Sequence, residues 1–260
     1  MVTAPGNILG PHLGFMVTLL VLLLVTRVVA GGKRSPALRV HFANPRREAL
    51  LALIPAAVLL GLTSTIFLGI ASRAQRPASP TSDRAGTYTF TSAAGQLAAN
   101  GIALAPFAVM LGVGRQRLET VGIGRHNLAP ALLIAGVASV AAAAINHKLT
   151  GAFWLRQDTL WRVVAQLGVG ISEEAIFRGY LQLRWAAWLN RSGWIVIAGL
   201  CTLWHAPAAL ANSGTGVPAM GSQLLTVLAA ALTFGLCMRL TGNIAGLSVV
   251  HAVMNVVCDV

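Results

Sequence analysis

Two adjacent glutamates and an arginine lie in a stretch of sequence that is otherwise apolar enough for a lipid bilayer. They are Glu173, Glu174 and Arg178, within the run from Ser172 to Tyr180. An ionisable side chain at membrane depth costs at least about 2.5 kcal/mol, so such residues mark functional sites that face a protein interior or a wet cavity. The run therefore predicts a chemical site inside the membrane.

The two glutamates are expected to have different environments on a helix. Glu174 and Arg178 are four residues apart and share a face, so Arg178 can neutralise Glu174. Glu173 is turned about 100° away. Its own face is apolar and holds Val169, Gly170, Ile176, Phe177 and Tyr180. An apolar setting disfavours the ionised carboxylate and suits a general base, whereas the alternative is an ion-pair network that only joins helices.

Two histidines also lie within hydrophobic runs. A lone intramembrane histidine such as His205 is more often a hydrogen-bonding group between helices than a catalyst. His251 and Asn255, however, are four residues apart, so an imidazole and a carboxamide share one helix face. Such a pair can donate two hydrogen bonds to a developing oxyanion, or His251 can bind a metal.

The composition predicts a membrane protein. Of the 260 residues, 56% are hydrophobic and 10% charged, against about 45–50% and about 25% in soluble domains. Eight apolar runs approach the roughly 20 residues that cross a bilayer. They cover residues 9–30, 49–71, 93–113, 128–146, 158–188, 192–211, 221–240 and 243–258. We expect an all-α polytopic transmembrane bundle of about eight helices, with lipid headgroups and not nucleic acid as the partner of the net charge of +12.

Basic residues of the loops indicate an orientation, since short cytoplasmic loops carry an excess of Lys and Arg. With both termini outside, the inner loops hold eleven of them: Lys33, Arg34, Arg39, Arg46, Arg47, Arg115, Arg117, Arg125, Arg184, Arg191 and Arg239. The outer loops then hold five: Arg73, Arg76, Arg84, Lys148 and Arg156. This excess favours both termini outside.

The polar connector 114–127 suggests a division of the chain. All the intramembrane acids and histidines described above follow it. We therefore predict about three N-terminal transmembrane helices in residues 1–113 and a catalytic core, made by the C-terminal five helices, in residues 118–260.

The order and spacing of these motifs resemble a known family. Glu-Glu-x-x-x-Arg at 173–178, a histidine at 205, and His-x-x-x-Asn at 251–255 resemble the CAAX-protease and bacteriocin-processing family of intramembrane proteases, also called the type II CAAX prenyl endopeptidase or Abi family. The resemblance covers roughly residues 118–260. One departure is Cys201, where members commonly have Phe four residues before the middle histidine.

The resemblance implies an intramembrane endopeptidase and a role for each motif residue. Glu173 is then the general base that activates water, and His205 helps to hold that water. Glu174 and Arg178 orient the site, while His251 and Asn255 stabilise the oxyanion of the tetrahedral intermediate. The substrate is then a peptide or membrane protein, cleaved at or near the membrane surface. The apolar helices, the short loops and the absence of a eukaryotic targeting signal predict a multi-pass protein of a bacterial plasma membrane.

The use of a metal stays open at this point. Glu173, His205 and His251 could supply a zinc set of two histidines and a carboxylate with one open position. The sequence has no His-Glu-x-x-His pair and shows no obvious second shell of carboxylates to orient two histidines, so the favoured prediction has no cofactor. The alternatives to a protease are a transport protein with a proton relay and a non-catalytic membrane scaffold.

Overall fold

The computed structural model describes residues 9–31, 42–74, 89–150, 159–190, 192–212 and 217–257. In these ranges the chain forms ten α-helices, with a 3-10 turn at Leu118–Val121 and a π-helical segment at Glu174–Leu181. The helices are α1 (Leu9–Val29), α2 (Pro45–Leu51), α3 (Leu53–Ala74), α4 (Phe90–Val113), α5 (Leu128–Thr150), α6 (Thr159–Glu173), α7 (Gln182–Leu189), α8 (Gly193–Asn212), α9 (Val217–Thr241) and α10 (Ile244–Val257).

The predicted all-α bundle of about eight helices is confirmed. Only Ala52 separates α2 from α3, and α6, the π-helical segment and α7 follow one another without a break. The described residues therefore make eight rods. Two rods begin before their apolar runs because side chains cap them: Asn44 accepts a hydrogen bond from the backbone of Arg47, and Thr89 accepts one from that of Ser92.

Among the described residues, five helices are long and apolar enough to cross a membrane: Pro45–Thr65, Phe90–Val113, Leu128–Leu149, Gly193–Leu210 and Met220–Thr241. Leu13–Val29 and Ile244–Val257 are shorter apolar helices. The rod from Thr159 to Leu189 is in neither group, and it carries five charged residues: Arg162, Glu173, Glu174, Arg178 and Arg184. The chain is thus a multi-pass membrane protein whose most polar rod holds the motif.

The motif rod lies between two apolar clusters. The first joins α1, α5, α9 and α10 through buried residues such as Leu22, Ile134, Met238 and Val250. The second joins α3, α4 and α8 to the π-helical segment, which contributes Ile176, Phe177, Tyr180 and Leu181. Packing on both sides fixes the rod that carries the two glutamates.

Polar contacts cross the predicted boundary between residues 1–113 and 118–260. The buried Arg184 guanidinium lies 3.6 Å from the centroid of the Tyr180 ring and forms a 3.8 Å ion pair with Glu48 of α2. Gln116 accepts a hydrogen bond from Arg184 and donates one to Glu48. These contacts attach the N-terminal helices to the motif rod, and the division into two parts stays a prediction.

The predicted orientation rests partly on basic residues whose structure is not described. Seven of them lie outside the described residues: Lys33, Arg34, Arg39, Arg76, Arg84, Arg156 and Arg191.

The approach of α6 to α10 depends on a glycine. A Cβ added at Gly170 would lie 2.4 Å from the carbonyl oxygen of Ser248 and 3.3 Å from the backbone nitrogen of Ala252. Because both atoms belong to the backbone of α10, no side-chain rotation can make room.

We expect Gly170→Ala to separate these helices and lower the stability by about 1–3 kcal/mol, the usual cost of overpacking. Thermal unfolding in detergent measures this. The matched control is Gly199→Ala, since an added Cβ at Gly199 meets no atom within 4 Å. Equal unfolding temperatures for the two variants would contradict the tight contact.

Candidate active site

A π-helical segment begins directly after Glu173. It runs from Glu174 to Leu181, and such wide turns inside helices are rare and often occur at functional sites. The sequence predicted an ordinary helix here, with an apolar face around Glu173. The predicted apolar environment of Glu173 is wrong. Of the five residues predicted on its face, Val169 lines the same cavity as Glu173. The others lie elsewhere: Ile176, Phe177 and Tyr180 pack in the second apolar cluster, and Gly170 faces α10. The wider turn changes the direction of every side chain that follows Glu174.

Glu173 is surrounded by imidazoles instead. Its Oε2 atom lies 3.7 Å from Nε2 of His205 and 3.8 Å from Nε2 of His251. The three side chains come from α6, α8 and α10, and the Glu173 side chain is 12% exposed. The structure therefore brings together the three residues that the sequence placed on three separate helices.

Both histidines are oriented by their other ring nitrogen. Nδ1 of His205 is 2.8 Å from the backbone oxygen of Cys201, and Nδ1 of His251 is 2.9 Å from Oε1 of Glu174. Because a carbonyl oxygen and a carboxylate accept hydrogen bonds, each Nδ1 is the donor and each Nε2 faces Glu173. The group that orients His205 is local, since Cys201 lies four residues earlier on α8, whereas the group that orients His251 comes from another part of the chain.

Glu174 and Arg178 form a buried ion pair. Nε of Arg178 lies 3.4 Å from Oε2 of Glu174, and the two side chains are 4% and 0% exposed. The predicted contact between them is confirmed. Arg178 also donates from Nη1 to the sulfur of Cys201 at 3.6 Å, so the cysteine that replaces the usual Phe touches the charged centre.

Asn255 lies beside His251 on α10, as the spacing predicted, and both line the same cavity. Its Nδ2 donates to Oε1 of Gln166 at 2.9 Å. Sequence reasoning missed Gln166, although a signal was present. Gln166 lies seven residues before Glu173, which is two helical turns along the same face of α6.

The cavity around these groups has a volume of about 330 Å³. Its polar lining includes Gln223 and Thr226 of α9, which the sequence analysis also missed because α9 holds no charged motif. The remaining wall is mainly apolar and consists of Phe15, Val169, Cys201, Val227, Ala230, Ala231, Phe234 and Met254. A mostly apolar cavity with a few convergent polar groups is typical of a binding or catalytic site.

Glu173 lies 3.7 Å and 3.8 Å from the Nε2 atoms of His205 and His251. In the part of the chain that the structure describes, no group of three or more His, Cys, Asp and Glu side chains has an arrangement that could hold a metal ion. Zinc binding by Glu173, His205 and His251 stays an alternative prediction.

Comparison with known families bears on the same segment. Residues 155–257, which contain every motif residue of the cavity, match the family described as Rce1-like, type II CAAX prenyl endopeptidase Rce1-like. The match covers less than half of the chain, and it shows that this segment is similar to that family. No curated protein and no solved structure matches the chain. The similarity to that family and the apolar helices together support an intramembrane protease.

Proposed function

We propose that the protein is an intramembrane endopeptidase in which Glu173 activates a water molecule. The observation that supports this proposal is the position of Oε2 of Glu173, within 3.8 Å of two imidazole nitrogens and open to a cavity. A carboxylate and a nitrogen lone pair on the same side of a cavity can accept both hydrogen bonds of one water. The lone pairs of that water then point away from them, towards a peptide carbonyl.

Peptide hydrolysis at this site needs one group that takes a proton from water and later gives it to the leaving amine, and Glu173 can do both. Glu173 removes a proton as the water oxygen bonds to the carbonyl carbon, and a tetrahedral intermediate forms. When the carbon–nitrogen bond breaks, Glu173 returns that proton to the leaving amine. His205 holds the water, since its Nδ1 is fixed by Cys201 and its Nε2 faces Glu173.

His251 and Asn255 are placed to stabilise the oxyanion. One N–H of the Asn255 carboxamide is used by Gln166, and the other is free to donate. His251 donates from Nδ1 to Glu174, so its Nε2 can donate as well only in the imidazolium form. The buried Glu174 carboxylate fixes the orientation of the His251 ring through the hydrogen bond at Nδ1.

The two oxyanion donors give the first kinetic prediction. We expect His251→Ala and Asn255→Ala each to lower kcat by about 10² to 10³, with a smaller effect on KM, because the lost bond forms in the transition state. Cleavage of a membrane-peptide library by detergent-purified protein measures this. His147→Ala is the control, since this exposed histidine lies outside the cavity. A similar loss of kcat in that variant would contradict a specific role of His251 and Asn255 in oxyanion stabilisation.

We further propose that no metal takes part. The prediction is cleavage that resists a strong chelator, in a sample whose metal content is far below one zinc per chain. Stoichiometric zinc with chelator-sensitive cleavage would instead make Glu173, His205 and His251 ligands. Absence of both cleavage and metal would favour a non-catalytic scaffold or a transport protein.

The substrate we propose is a peptide segment or membrane protein cleaved near the membrane surface, by a multi-pass protein of a bacterial plasma membrane. The apolar wall of the cavity suits apolar side chains, while the amides of Gln166, Gln223 and Asn255 suit a peptide backbone. No nucleic acid is expected.

A further inference from the structure

The carboxamide of Asn255 is oriented by a residue of another helix. Its Nδ2 atom lies 2.9 Å from Oε1 of Gln166 on α6, and both side chains line the cavity that contains Glu173. A carboxamide has N–H donors at one end and an oxygen acceptor at the other, so an asparagine without a fixed partner can turn either end towards a substrate. The hydrogen bond to Gln166 decides which end is offered.

This hydrogen bond is one of two that join α6 and the residue after it to α10. Gln166, Gly170 and Glu174 are spaced by four residues and share one helix face. Glu174 binds Nδ1 of His251, and Gln166 binds Asn255. At Gly170, between them, the backbone of α10 leaves no room for a side chain. This close contact fixes the two helices relative to each other, so one face of α6 orients both residues that the proposed mechanism assigns to the oxyanion.

From this arrangement we infer that Gln166 is a positioning residue for the cleavage reaction and acts through Asn255. Its Oε1 atom accepts one N–H of Asn255, which leaves the second N–H of the same nitrogen to donate to an oxyanion. If the carboxamide turned round, its oxygen would instead repel the developing negative charge. A donor that is already oriented needs no reorganisation when that charge forms. The inference rests on the proposed function, because the oxyanion arises only in hydrolysis.

The chemical type of Gln166 suits this role. The site already contains two carboxylates, Glu173 and Glu174. A third carboxylate beside Asn255 would repel the oxyanion, since charges interact strongly in a site withdrawn from water. An amide oxygen accepts the hydrogen bond without adding a charge.

A double-mutant cycle on the cleavage rate tests the inference. We expect Gln166→Leu to lower kcat about tenfold and to change KM by less than about twofold, because the donor remains but is no longer held in place. In an Asn255→Ala background the same change should lower kcat by less than about twofold, since no carboxamide is left to position. Gln96→Leu is the matched control, at a half-buried glutamine of α4 that is absent from the cavity lining, and should cleave at an unaltered rate. Equal losses from Gln166→Leu in the two backgrounds would overturn the inference, because Gln166 would then act on the substrate or the fold directly.

Nuclear magnetic resonance of detergent-solubilised protein with isotope-labelled asparagine reads the same contact without turnover. Asn255→Ala identifies the side-chain signals of Asn255 by their loss. In the unaltered protein we expect one of its side-chain protons to be shifted downfield and to exchange slowly with solvent, as in a hydrogen bond. Gln166→Leu should remove both features, whereas Gln166→Glu, which keeps an oxygen acceptor on a side chain of the same length, should retain them.

Two spectroscopic results would overturn the inference. One is an Asn255 signal that is the same in Gln166→Leu and in the unaltered protein. The other is the signal of an unbonded carboxamide in the unaltered protein, and this result does not depend on the folding of any variant. An unaltered protein without protease activity would refute the proposed function, whereas the Asn255 signals would still show whether Gln166 fixes the carboxamide.

Discussion

Glu173→Gln is expected to lower kcat by about 10² to 10⁴ and to leave the protein folded in the membrane. The amide has nearly the shape of the carboxylate but cannot take a proton from water, so the general-base contribution is lost. Glu173 has no ion pair with an arginine or lysine among the described contacts, and its neighbours are the two imidazoles. Replacement of Glu173 by glutamine therefore removes the general base and changes the packing little.

The measurement is single-turnover cleavage of a membrane peptide, together with thermal unfolding of the same samples. Glu119→Gln is the matched control, because Glu119 is an exposed glutamate paired with Arg117 at the protein surface. It should cleave as fast as the unaltered protein. Full turnover by Glu173→Gln would end the general-base assignment.

Arg178→Met is expected to destabilise the protein by about 3–5 kcal/mol and to abolish activity. Removal of one partner of a buried ion pair leaves the other charge uncompensated. Glu174 is fully buried, and Arg178 is its cationic partner at 3.4 Å. The loss should also disturb the hydrogen bond between Glu174 and His251.

A second variant separates the electrostatic cause from simple loss of packing. In Glu174→Gln/Arg178→Met both charges are gone, while the amide oxygen still accepts a hydrogen bond from His251. We expect this double variant to recover most of the stability and to stay poorly active, because His251 has lost the carboxylate that orients its ring and Arg178 no longer lines the cavity. Arg117→Ala, at an exposed pair, should change stability by less than about 1 kcal/mol. Equal destabilisation by the single and double variants would show that Arg178 acts by packing alone.

Much of the architecture follows from local patterns. Apolar runs located the eight rods, since a helix in lipid must satisfy its own backbone hydrogen bonds and needs a fixed length to cross. The pairing of Glu174 with Arg178, and the shared face of His251 and Asn255, follow from four-residue spacing on one helix. These features depend only on residues that are close together in the sequence, so they can be predicted from it.

The environment of Glu173 was beyond such reasoning. An ordinary helix places Ile176 and Phe177 near it, but the π-helical segment turns them into the second apolar cluster. The partners of Gln166 and of the two histidines lie on other helices. No periodicity within one helix reports which face of another helix it will meet.

The sequence by itself determined that this chain is a helical membrane protein with the motif residues of a protease family, because apolar length and residue spacing are local properties. The tertiary structure decided which groups surround Glu173 and which side chains line the cavity. Those properties depend on contacts between residues far apart in the chain, such as Gln166 and Asn255, which are 89 positions apart. They are set by how helices pack against one another, and that packing is a property of the whole chain.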